Sequence, residues 1–69
     1  ASFYVYPNPG NAVFAIQNLQ TDKPVMILNA LGETIDVLAP NKSTFNLADF
    51  PSGVYFLKTD KGTARFVRM

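Results

Sequence analysis

The titratable side chains of this chain are five carboxylates, six basic groups and three tyrosines, and it holds neither cysteine nor histidine. Without imidazole or thiol there is no Ser–His–Asp or Cys–His arrangement and no ordinary neutral-pH general base. The usual zinc ligands are missing for the same reason. The carboxylates Asp22, Glu33, Asp36, Asp49 and Asp60 fall in five different turns or strands. No loop therefore carries the density of oxygen ligands that a calcium site or an acid/base pair needs. None of the four glycines sits between a strand and a helix, as a phosphate-cradling loop requires. Asn41-Lys42-Ser43 fits a glycosylation acceptor, a pattern short enough to arise often by chance. The chain reads as a non-enzyme with no cofactor and no metal.

Charge and length narrow the alternatives. A net charge of +1 gives no global field for nucleic acid or a membrane surface. No apolar run approaches the ~18 residues of a membrane span. Ala1-Ser2-Phe3-Tyr4 lacks the basic stretch and apolar run of an export leader. Residues 1–69 therefore read as a single domain; if the protein is exported its leader lies elsewhere, which fits a piece excised from a longer chain. A domain of this size buries only about 60% of the surface its unfolded chain exposes. Its 48% hydrophobic content, with six Phe among it, supplies the core that marginal size demands.

The elements that would hold these residues are strands. Short apolar runs alternate with turn residues, and no 3.6-residue period persists. The runs predict strands over 2–6, 12–18, 25–29, 33–38, 43–47, 53–59 and 63–69. Between them lie Gly, Pro, Asn and Asp, and only Leu47-Ala48-Asp49-Phe50 could make a helical turn, stopped by Pro51. Seven such strands at ~8–12-residue spacing predict an all-β, immunoglobulin-like sandwich. Alternation pairs Phe14 with Ile16, Val25 with Ile27, Ile35 with Val37, and Tyr55 with Leu57, and predicts a core of Phe14, Ile16, Val25, Ile27, Val37 and Leu57. The sixth strand is apolar on its other face too, through Val54 and Phe56, which suits a central strand or a face that meets a partner. The seventh sets Ala64, Phe66 and Arg68 against Arg65, Val67 and Met69. One Arg on each face is natural for an edge. Arg65 and Arg68, with Lys58 and Lys61 nearby, read either as a solvated edge or as a recognition surface.

Three segments carry a family resemblance. Tyr6-Pro7-Asn8-Pro9 resembles the Y-P-N-P opening of type IX (Por) secretion C-terminal sorting domains. Val25–Gly32 is similar to that family's central strand and turn, with Leu28 where a Tyr is usual. Leu47–Leu57 resembles its l-s-x-l-p-x-G-v-Y-x-v block, and one further strand follows. The closing Arg65-Phe66-Val67-Arg68-Met69 is thinner in charge than the family's usual basic ending.

The resemblance implies a secretion signal that directs a cargo across the outer membrane to the cell surface or medium. The implied partners are a shuttle met in the periplasm, an outer-membrane translocon and a surface sortase. The implied motif and recognition residues are Tyr6, Pro7, Asn8, Pro9, Gly32, Gly53 and Tyr55, with Arg65, Phe66, Val67, Arg68 and Met69 at the end. Physics gives most of them structural work as well. Pro7 and Pro9 stiffen a corner around Asn8. Gly32 and Gly53 suit positive φ, and Tyr55 can bury its ring with its hydroxyl at a loop. Exchange of the last strand between copies would give a strand-swapped homodimer. The competing reading is a generic immunoglobulin- or fibronectin-like binding or spacer module of a secreted protein.

Overall fold

The computed structural model describes residues 3–40 and 42–69, so Asn41 of the acceptor pattern and Ser2 at the start of the first predicted strand lie outside it. Among the described residues the chain forms seven strands: β1 (Tyr4–Tyr6), β2 (Val13–Gln17), β3 (Val25–Asn29), β4 (Thr34–Leu38), β5 (Thr44–Asn46), β6 (Gly53–Thr59) and β7 (Gly62–Arg68). They build two antiparallel sheets, ordered β1-β2-β5 and β4-β3-β6-β7. This is the immunoglobulin-like sandwich that the spacing of runs and turns predicts. The segment around Asp49 is a single turn, closed by the Phe50 N–H on the Leu47 carbonyl at 3.0 Å, rather than a helix.

The two sheets meet through the residues that alternation turns inward. Phe14, Val25, Ile27, Leu47, Leu57 and Phe66 are fully buried. Four aromatic rings bridge the layers: Phe14 lies 5.5 Å from Phe45 and 5.0 Å from Phe66, and Phe66 lies 6.0 Å from Tyr55. Phe14 and Phe45 come from the three-stranded sheet, Tyr55 and Phe66 from the other, so each sheet buries its aromatics against its partner's.

Val37 does not join this core. It is 56% exposed. The register explains the difference: Leu38 pairs with Val25 and Asp36 with Ile27, but Thr34 pairs with Leu28, leaving Ile35 as a bulge. A bulge inserts one residue and breaks the two-residue alternation. Val37 therefore stands opposite Met26 on the outer face, while Ile35 and Leu38 pack on the core.

Candidate functional site

The family-like residues gather at one end of the four-stranded sheet. Asn29 pairs with Tyr55, and Gly53 pairs with Arg68, so the β3–β4 turn, the start of β6 and the end of β7 lie together. Asn29 builds the turn. Its Oδ1 accepts the N–H groups of Leu31 and Glu33, each at 3.0 Å, and its Nδ2 donates to Glu33 Oε1 at 2.8 Å. Gly32 closes that turn at φ 85°, a conformation costly for any residue with a Cβ. Gly53 also has positive φ, but a Cβ there would meet nothing within 4 Å, so backbone freedom rather than crowding favours glycine. Tyr55 is buried and its hydroxyl donates to the Pro51 carbonyl four residues upstream, the tyrosine-corner geometry of immunoglobulin-like domains.

The segment after β1 does more than turn a corner. It leaves the three-stranded sheet and crosses to the outer side of β7. There the Asn8 side chain imitates a peptide group: Nδ2 donates to the Arg65 carbonyl at 3.2 Å, and Oδ1 accepts the Val67 N–H at 3.1 Å. Gly10 continues the cover as a parallel bridge to Arg68. Its N–H donates to the Val67 carbonyl at 3.0 Å, and its carbonyl accepts the Met69 N–H at 2.8 Å. Pro7–Gly10 is thus a strap that ties the start of the domain to its end.

Gly10 was invisible as a site residue in the sequence, where it read as one more turn glycine. A Cβ on it would come within 2.7 Å of Phe14 Cε1 and 2.8 Å of the Pro7 carbonyl oxygen, so only glycine lets the strap lie this close. The sequence does not announce that need, because Pro7 and Phe14 close on Gly10 only when the segment folds over as a strap.

The other named residues divide by direction. Tyr6 is half-exposed on the outer face of the three-stranded sheet, 5.9 Å from Tyr4, and its ring stays apart from the C-terminal group. In the outward row of β7 Arg65 is exposed and Val67 half-buried, Met69 just past the strand's end is exposed, and Phe66 is wholly buried. The two arginines are not equivalent. Arg68 shares the inner row with Phe66 and is half-buried; Nη1 donates to Ser52 Oγ and to the Met69 carbonyl, both at 3.2 Å. Strand β7 is last in its sheet, as the split arginines predict, but the edge beyond residue 64 is covered rather than free.

Among the described residues no three His, Cys, Asp or Glu side chains come together in a way that could hold a metal ion. Among the described residues no helix is long and apolar enough to cross a membrane.

The fold and the strap define a class: an immunoglobulin-like sandwich whose last strand forms a sheet edge and is bound by the chain's opening motif. The family model described as the secretion system C-terminal sorting domain matches residues 4–68, and the chain belongs to that family. Neither the curated proteins nor the solved structures compared with the chain match it. It is a sorting signal for type IX secretion, of a family that is not a class of enzymes. It works with that secretion machinery, and its cargo is exported to the cell surface or medium.

Proposed function

We propose that this domain is a folded, non-catalytic address carried by a longer cargo protein and read at the outward row of β7. A shuttle would engage it in the periplasm, an outer-membrane translocon would pass it, and a surface sortase would act on the cargo afterwards. The observation that carries this reading is the strap: Asn8 and Gly10 hold Arg65, Val67 and Met69 in a fixed, outward-facing row. A rigid row costs a receptor less ordering than a loose tail of the same composition. A strand-swapped homodimer belongs to the same reading as a secondary state. Exchange of β7 must open the strap's bonds before they re-form between copies, so it is expected only at high concentration.

The test is a fusion of this domain to a periplasmic reporter in a host with a type IX system. Arg65→Ala removes an exposed charge worth on the order of 0–1 kcal/mol, so the melting temperature should move by less than about 4–8 °C. The reporter should nevertheless stay in the periplasm. Surface delivery by both Arg65→Ala and an Arg65→Ala/Met69→Ala pair would show that the row is not read and would favour the spacer reading. Removal of residues 66–69 is the wrong instrument, because it takes Phe66 out of the core.

A further inference from the structure

The fold's stability does not account for the outer face of the four-stranded sheet. Register lays it out in rows: Val37–Met26–Lys58–Thr63, then Thr34–Leu28–Phe56–Arg65, then Val54–Val67. An antiparallel sheet with its other face on the core is ordinarily polar on this side. Here Met26, Leu28, Val54, Phe56 and Val67 are half-buried and Val37 is exposed. Phe56 is the middle of the patch, with Leu28 and Arg65 on either side and Val54 and Lys58 along its own strand. A contiguous apolar patch on a small domain invites association, and the core needs none of these side chains to be apolar.

The charges say what kind of surface fits. Lys58 and Arg65 stand on this face and both are exposed. None of the five carboxylates joins them: Asp36 pairs with Ile27 on the inner side, and Asp22, Glu33, Asp49 and Asp60 lie in connections. A second copy packed face to face would bring like charges together in a desolvated patch, which opposes association. We propose that this face docks a protein partner whose contact surface is apolar at its centre and rimmed with carboxylates. The apolar centre seats over Phe56 and Leu28, and the acids face Lys58 and Arg65. This is the usual anatomy of a specific interface, with an apolar middle and complementary charge at the rim. The partner is met on the export route, and to that extent the inference rests on the sorting-signal reading.

The experiment places a photo-cross-linking phenylalanine derivative at position 56 of the reporter fusion in whole cells, with position 13 on the opposite sheet as control. The expected result is one protein product from position 56 and none from position 13. Lys58→Glu/Arg65→Glu should lower its yield at least tenfold, and changing the carboxylates of the cross-linked partner peptide to Lys should restore it. Lys58→Gln/Arg65→Gln, with a several-fold loss expected, serves if the reversed variant unfolds. No product at position 56, a lipid product, a cross-link to a second copy, or a yield indifferent to charge each overturns the proposal. Surface delivery is scored in the same cells. A charge-sensitive cross-link without delivery keeps the docking face and sinks the address; delivery without a cross-link does the reverse.

Discussion

The two edges of the four-stranded sheet are protected by the same chemistry at very different range. On β4 the Val37 N–H is taken by Oδ1 of the adjacent Asp36 at 2.8 Å, and the bulge at Ile35 disturbs the ladder. On β7 the covering amide belongs to Asn8, 57 and 59 residues away along the chain. A local carboxylate and a bulge blunt an edge with few long-range contacts. A strap does so by joining the two sheets, and it holds the covered strand in place. An unpaired edge invites pairing with another chain, so both devices have a use. Only the second makes the state of β7 depend on the segment that follows β1.

Phe66→Ala should break the comparison outright. The ring is fully buried among Phe14, Phe45 and Tyr55, so the loss should be about 3–5 kcal/mol. Urea unfolding reads it, and a loss under 1 kcal/mol would mean β7 is not seated as described.

Gly10→Ala attacks the strap sterically. Its Cβ must displace Phe14 or the Pro7 carbonyl, at roughly 1–3 kcal/mol. Hydrogen exchange at the Met69 amide should quicken more than exchange in β3. Equal quickening everywhere would mean only global loosening.

Asn8→Ala should cost about 1 kcal/mol, since both its bonds are at the surface. The Val67 amide should lose protection, and sedimentation should show more self-association as the edge opens. Unchanged protection at Val67 would show that the strap is not the guard. Asp36→Ala completes the series with a change within about 0.5 kcal/mol, because the Val37 N–H on an open edge can turn to water.

What the sequence made legible was local. Strands β3 and β6 have the bounds that their apolar runs predict, and β7 begins one residue earlier only because Gly62 still pairs with Thr59. The apolar outer side of β6 was readable from Val54 and Phe56, since strict alternation holds along that strand. Val37 was misplaced because a bulge leaves no mark in composition. One inserted residue turns the rest of a strand over, and Thr34-Ile35-Asp36-Val37 looks like any alternating run. The strap was missed for a different reason. Pro7-Asn8-Pro9 has the look of a rigid turn, and nothing in a turn reveals which distant backbone its side chain completes. Arg68 likewise read as an exposed charge, although its row ends beside Ser52, a contact set by the β6–β7 pairing.

The strap also has a consequence for the order of events during folding. Asn8 and Gly10 find their partners only when β7 has been laid against β6, so a chain lacking its last residues has nothing to bind the opening motif. Closing a loop of this length costs conformational entropy that only the finished contacts return, and such non-local pairings form slowly. The domain thus behaves as a check on the completion of β7. While the final strand is still emerging, the strap hangs loose and the aromatic core lacks Phe66. The outward row takes its fixed form only once Pro7–Gly10 and β7 have met.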